Sequence, residues 1–501
     1  MNVSDRQPVR QRARTPGGKR EAGQDAVPVQ VRRLTRSISG RMNAQDACRV
    51  VVGLIYLRWA ARDHHAAALR RPSWTWLVAQ TTDRSSPVGP RVRSCLMQWL
   101  PHGLDLDDAD EDPGLAPRLP ATVEDQLRQL IVAIDRAERP AELLDQCLAD
   151  LSAAQAQGGH YFTPGDIVRL MVAAVAPQDG NRVLDPVCGS AGLLIEAVRQ
   201  VREQIGFLDA KLSLTGQDLH AGTLQIAQMN LAAHGVTATL EPPMDSLERP
   251  AHASYDIVLA NPPFNLSAWG PDPLPRNDPR WPDEAAPPRD RANFAWLLHI
   301  AHALAPQGRA AVLMADGAAT GMRPVERRIR EHLVDSDLVE CIVALPPGLF
   351  THTKISCCVW LLNRDKSPHR GWGRRDRRGQ VLFIHAREAY ELVGKSRRRL
   401  LAPDGVEKIL RTLAAWRGTA ADPGGPEANY QDEPGWCRSS SAQEIADREH
   451  DLLPTSYAGV EAVEEGTAAR QRVERLTREL YAKFDEAHVL EHDLRRALDS
   501  L

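Results

Sequence analysis

The chain has 501 residues and a formal net charge of −3, long enough for two or three domains with at least one large core. It is not a polycation, so any nucleic-acid surface has to be a local patch. No apolar run approaches the roughly 18 residues of a membrane span, the N-terminus lacks the apolar core of a secretory signal, and the eight cysteines show neither a CxxC pair nor metal-ligand spacing, which reads as reduced thiols in a cytoplasmic protein without a metal site.

Residues 1–41 hold ten Lys or Arg against three acids and read as a disordered basic arm, either phosphate-contacting or merely solvated. From 42 to 155 apolar stripes at helical spacing dominate, as in ACRVVVGLIYLRWAARD and VEDQLRQLIVAIDRA, and predict a helical N-terminal domain interrupted by an acidic loop, Asp105 to Pro120. From 156 to 415 strands and helices alternate. Strands are expected at 182–186, 214–218, 255–260, 309–315, 338–345, 357–363 and 380–386, with helices from about Ala191 to Gln204, over LQIAQMNLAAHG and over NFAWLLHIAHAL. Apolar strands interleaved with helices imply an α/β fold, a mostly parallel twisted sheet covered on both faces. Ligands then bind at the carboxyl ends of the strands, where Asp185, Asp218 and Asn261 fall. The Pro- and Asp-rich stretch from Leu266 to Arg291 reads as a lid or an outward-facing loop. From 416 to 501 a Pro/Gly-rich linker, Gly418 to Ser439, leads to a C-terminal helix over 467–498, whose near-heptad stripe includes Val473, Leu476 and Leu480, suited to docking on a partner.

Three segments carry chemistry. In DPVCGSAG a strand ends at Asp185, and Gly189 and Gly192 let the backbone bend before the next helix, bringing amide N–H groups and a carboxylate to one small ligand. No Lys follows the last Gly, which disfavours a phosphate-cradling P-loop. Asp218 ends the next strand, as an acid on a ribose diol would, and Asp245 lies where it can meet an adenine ring edge. Third, YDIVLANPPFN is a buried strand ending in Asn261-Pro262-Pro263-Phe264. Methylating an aromatic amine is hard because its lone pair is delocalised into the ring. Two acceptors on the amine protons, the Asn261 side-chain oxygen and the Pro262 carbonyl, localise it. Proline stiffens that backbone, and Phe264 can stack on a base that has left the duplex.

These motifs, with GGHYFTPGDIVRLM upstream and ECIVALPPGLFTHTKI downstream, resemble those of the modification (M) subunits of type I restriction-modification systems, adenine-specific DNA methyltransferases, from about residue 42 onward. The resemblance implies a Rossmann-like methyltransferase fold and S-adenosylmethionine as cofactor. Tyr161, Thr163 and Pro164 would contact its methionine part. Asp185 and Gly189 would shape the pocket, Asp218 would hold the ribose and Asp245 would lie near the adenine, while Asn261, Pro262 and Phe264 would bind the target adenine. It also implies double-stranded DNA as substrate, a separate specificity subunit and a possible nuclease subunit as partners.

The chain departs from the family pattern at Ala191, where a Gly is usual, and at Ala315, where Pro is frequent. If position 191 needs positive φ, Ala costs about 1 kcal/mol there. The basic clusters HRGWGRRDRRG (369–379) and KSRRR (395–399) suggest phosphate contacts without sequence choice, or solvated loops. Two alternatives compete: a diverged scaffold subunit without activity, supported only by Ala191, and a protein glutamine methyltransferase, whose Asn-Pro-Pro-aromatic tip is similar.

Overall fold

The computed structural model describes residues 26–61, 74–99, 119–154, 163–206, 210–248, 254–270, 274, 278–282, 286–321, 323–350, 355–369, 372–394, 397–419 and 430–459. The helix expected over 467–498 lies outside these, as does most of the basic arm. The arm's last part departs from the expectation of disorder: Ala26–Ser39 is a helix. Val31, Leu34 and Ile38 repeat at helical spacing and are fully or almost fully buried, so this stretch has an apolar face to dock even though its arginines dominate the composition.

Helices Ala44–Ala60, Glu124–Asp135 and Pro140–Ala154 pack with it into one helical core. Gly53 permits the close approach of Gly89–Trp99, since a Cβ there would lie 2.5 Å from Leu96 Cδ2. This core is not closed on itself. Ile226, Met229 and Ala233 of helix Ala221–Ala233 belong to it, whereas Leu224, Ala227 and Leu231 of the same helix face the sheet. A helix buried on both sides explains why LQIAQMNLAAHG is apolar all round. Arg49 reinforces the junction by donating to Gln225 Oε1 at 2.8 Å.

The sheet has nine strands: β1 (Arg182–Asp185), β2 (Ser213–Gly216), β3 (Thr239–Leu240), β4 (Tyr255–Ala260), β5 (Leu304–Ala315), β6 (Val339–Ala344), β7 (Cys357–Asn363), β8 (Gln380–His385) and β11 (Cys437–Ser441). Their order is β11-β8-β6-β7-β5-β4-β1-β2-β3. Pairings among β1 to β5 and between β6 and β8 are parallel, while β7 runs antiparallel between β5 and β6, as does β11 beside β8. The sheet is thus mostly parallel. Buried on both faces, β7 needs no polar alternation: Cys357, Val359 and Leu361 point to one core, Cys358, Trp360 and Leu362 to the other. The linker expected over 418–439 ends early, because Cys437–Ser441 pairs with β8 as an edge strand. A small ribbon, β9 (Tyr390–Val393) with β10 (Arg398–Leu401), stands apart from the sheet.

The 369–379 cluster is internal only in part, with Arg374 and Arg378 exposed. Trp372 and Arg377 are buried, and the guanidinium groups of Arg309 and Arg417 each lie 3.9 Å from the Trp372 ring centroid. Glu340 of β6 is the hub. Its carboxylate accepts from Trp372 Nε1 at 3.0 Å, from Arg417 Nη2 at 2.7 Å and from Arg377. Burial pushes its carboxyl up, but Arg417 and Arg377 outweigh this and hold it at about 2. Arg309 and Arg417 also donate to Val175, Ala176 and Ala174 carbonyls at the end of helix Gly165–Val175, where unpaired C=O groups attract cations. In the second cluster Arg399 donates to Pro347 O at 2.9 Å and lies over Tyr390, which leaves Arg397 as its exposed described arginine. Removing one member of a buried ionic network strands the others, so Glu340→Ala is expected to lower unfolding free energy by about 3–5 kcal/mol, read from chemical denaturation.

Candidate active site

β1 and β4 are parallel neighbours, with Leu184 opposite Val258. The chain leaves β1 toward β2 on one side and reaches β4 on the other, so a crevice opens at their carboxyl ends. Asp185 and Asn261 sit at that crevice, on adjacent strand tips.

The turn after β1 is built by backbone hydrogen bonds. Val187 N donates to Asp185 Oδ1 at 3.1 Å, Cys188 N to Gln217 O at 2.7 Å and Gly189 N to Asp218 Oδ2 at 3.2 Å. Asp218 Oδ1 also accepts from His220 N at 2.9 Å, so this carboxylate pins the Gly-rich turn. Ser246 Oγ donates to Pro186 O at 2.6 Å and brings Asp245 alongside, its Oδ1 accepting from Leu247 N at 2.9 Å. Asp185, Gly189, Asp218 and Asp245 therefore converge.

Two features of this turn are energetically costly. Gly189 has φ 54, which suits glycine, but Ala191 has φ 64 and is fully buried just before helix Gly192–Ile205. Position 191 does require positive φ. Asp185 is almost fully buried, and burial, with the nearby Asp218 charge, pushes its carboxyl up to about 8. The Cys188 thiol is also pushed well up by burial, so it is no thiolate nucleophile at neutral pH.

At the target tip, Asn261 Nδ2 donates to Thr163 Oγ1 at 2.9 Å. Phe264 meets Phe350 edge-to-face with centroids 6.4 Å apart. Asn265 adopts φ 55, and a reciprocal amide pair locks it: Asn265 N donates to Asn293 Oδ1 and Asn293 Nδ2 to Asn265 Oδ1, both at 2.9 Å. The sequence reading left Phe350 without a role and overlooked Asn293. The first lies in the Leu-Pro-x-x-x-Phe segment. The second had no local signal, because its role exists only once the 266–291 stretch folds back.

That stretch is anchored rather than free over its described residues. Trp269 is buried with Nε1 on Pro288 O at 3.0 Å, and buried Arg280 donates to Leu247 O at 2.8 Å. Burial and the adjacent Arg280 push His299 down to about 3, so it is neutral. A cavity of about 650 Å³ runs past Thr163, Pro164, Ser190, Gly192, Asn230 and Phe350. Asn261, Pro262 and Phe264 lie outside its walls, as do Asp185, Gly189, Asp218 and Asp245. Tyr161 falls outside the described residues. Among the described residues no cluster of His, Cys, Asp or Glu suits a metal ion, and no helix is long and apolar enough to cross a membrane.

This sheet order, with a Gly-rich turn and an Asn-Pro-Pro-Phe tip at adjacent strand ends, defines a Rossmann-like methyltransferase. The family model for N-6 DNA methylases matches residues 141–466. The type I restriction enzyme HindI methylase subunit of Haemophilus influenzae is 36% identical over 358 residues, covering 70% of this chain and 75% of that one. The MjaIX methylase subunit of Methanocaldococcus jannaschii is 29% identical over 350 residues, 69% of this chain and 60% of its own length. A crystal structure of a type I methyltransferase subunit from Streptococcus thermophilus matches with TM-score 0.66 at 20% identity, over 87% of this chain and 99% of that one. The chain belongs to the N-6 DNA methylase family, the adenine-specific DNA methyltransferases, and is of the type I modification-subunit kind.

Ala191→Gly is expected to stabilise the protein by about 1 kcal/mol, seen as a higher denaturation midpoint with unchanged slope. For Asp185 the folded value lies above the ordinary 3.8, so the folded state holds the extra proton and stability falls as pH rises from about 4 to about 8. Asp185→Asn removes that term. Its stability advantage over the unsubstituted chain should grow by up to ~1.4 kcal/mol per pH unit across this window and level off above it, measured by denaturation at several pH values.

Proposed function

We propose that this chain transfers a methyl group from S-adenosylmethionine to the exocyclic amine of adenine in double-stranded DNA, as part of a restriction-modification or related phage-defence system. The observation that carries this reading is the placement of Asn261 and the Gly-rich turn on adjacent strand ends.

The residues present fit the cofactor. Exposed apolar side chains, Leu219 at 55% and Met244 at 44%, follow Asp218 and precede Asp245, and Met244 N donates to Asp218 O at 3.3 Å. Two carboxylates beside apolar surface suit a nucleoside, with Asp218 on the ribose and Asp245 near the ring. A Cβ at Gly189 would meet nothing within 4 Å, so backbone can be approached closely there. Buried Asp185, repelled by Asp218, gains from a cationic ligand. Thr163 and Pro164 bound the methionine end. When bound, the cofactor supplies an electrophilic methyl group on a sulfonium. Asn261 Oδ1 and the Pro262 carbonyl accept the amine protons and keep the lone pair on nitrogen, while Phe264, backed by Phe350, holds the flipped base. Catalysis is then positioning and electrostatics, with no covalent nucleophile.

Sequence choice falls to a separate specificity subunit. The expected docking helix over 467–498 would reach it, and a nuclease subunit would complete a restriction system. A DNA substrate places the action in the cytoplasm. The scaffold alternative loses its footing because the turn forms with Ala191 in place, and the relatives named above are DNA methylases rather than protein methyltransferases.

Modification-sensitive sequencing of DNA from a methylation-free host, expressing this chain with a specificity subunit, should show methyladenine at one defined motif. Asn261→Ala should abolish the signal while leaving the complex soluble. No methylation by the unsubstituted chain in a soluble complex would refute the reading.

A further inference from the structure

We infer that Thr163 is a positioning residue that orients the Asn261 amide for the target amine. The inference rests on the reading of Asn261 as the target-binding side chain. The two ends of an Asn amide are nearly the same size, but only its oxygen can accept a proton from an amine. The 2.9 Å bond from Asn261 Nδ2 to Thr163 Oγ1 occupies the nitrogen end and leaves Oδ1 for the base. A hydroxyl can donate as well as accept, but the amine offers only protons, so the target bond and the Thr163 bond demand the same orientation and reinforce each other.

Both partners are carried on stiff supports. Asn261 is followed by Pro262 and Pro263. Thr163 precedes Pro164 and the helix Gly165–Val175. Near its start that helix is tied by buried Asp166, whose Oδ2 accepts from Leu401 N at 2.6 Å, and its far end is gripped by Arg309 and Arg417. The hydroxyl is therefore held in place by the supports of this helix as well as by its own partner. Thr163 also lines the 650 Å³ cavity.

The test compares Thr163→Val, which keeps the shape and removes the acceptor, with Thr163→Ser, which restores it, in the full chain bound to its specificity subunit. At saturating S-adenosylmethionine and DNA, Thr163→Val should slow single-turnover methyl transfer by roughly tenfold to a hundredfold, the usual size of a misaligned reacting group. Thr163→Ser should recover most of the rate. An unchanged transfer rate in Thr163→Val overturns the inference, and a weakened cofactor Kd alone would assign Thr163 to the cofactor only. Should Thr163→Val not fold, Thr163→Ala is judged by the same rates. If the unsubstituted complex transfers no methyl group, the functional reading fails, and the orienting role of Thr163 is decided by neutron crystal structures of the unsubstituted chain and Thr163→Val, which distinguish the amide nitrogen from the oxygen. Loss of the single Asn261 side-chain orientation supports it, and an identical orientation overturns it.

Discussion

The buried carboxylate of Glu340 is the constraint from which the site geometry follows. Alone it would be untenable in the sheet core, because burial of an unpaired charge costs several kcal/mol. Arg377, Arg417 and Trp372 neutralise and saturate it, and the Trp372 ring in turn packs against the guanidinium groups of both Arg417 and Arg309. Those two arginines use their remaining donors on the carbonyls that end helix Gly165–Val175. The other end of that helix presents Thr163 to Asn261. A charge network on one side of the sheet thus sets the position of a hydroxyl beside the target tip. Rigid support of this kind is what the proposed catalysis by positioning requires.

The cofactor turn shows the opposite economy. A buried Asp185 pushed up to about 8 beside a second acid and a non-glycine residue at φ 64 both work against folding. Unfavourable features concentrated in one turn, with a well-packed sheet beneath, match the expectation that a protein tolerates local instability where a ligand will relieve it. Ala191 shows that this turn does not depend on glycine at every bend. The surrounding bonds, among them Asn230 Nδ2 to Ser190 O at 2.8 Å, hold the backbone there.

The helical N-terminal region bears directly on this turn. It shares helix Ala221–Ala233 with the sheet domain, and Asn230 on that helix holds Ser190. His234, at the helix end, lies 3.3 Å from Asp145 of helix Pro140–Ala154. The two cores therefore meet one residue layer from the cofactor turn, and a boundary near residue 155 describes chain order better than it describes packing.

Much of this was legible locally. Six of the seven expected strands match the sheet to within two residues, because strands buried on both faces are continuous apolar runs. β5 begins earlier than its apolar core suggests. The Asp185 turn and the Asn261 tip announce themselves because glycine and paired prolines are unusual residues at strand ends. The helix Ala26–Ser39 was hidden by its arginines, and β11 by the Pro/Gly-rich stretch before it. What the linear chain could not reveal is whatever depends on residues distant in sequence arriving together. Trp372 among arginines resembles a nucleic-acid patch until Glu340, 32 residues away, supplies the countercharge that draws it inside. Nothing near Thr163 in the chain announces that its hydroxyl accepts from Asn261, 98 residues away. By itself the sequence determined most of the elements and the fold class, since these rest on local periodicity, and it supplied the candidate site residues through their chemistry. The tertiary structure alone decided which charges are buried and which side chain orients which, because both depend on the order of strands in the sheet.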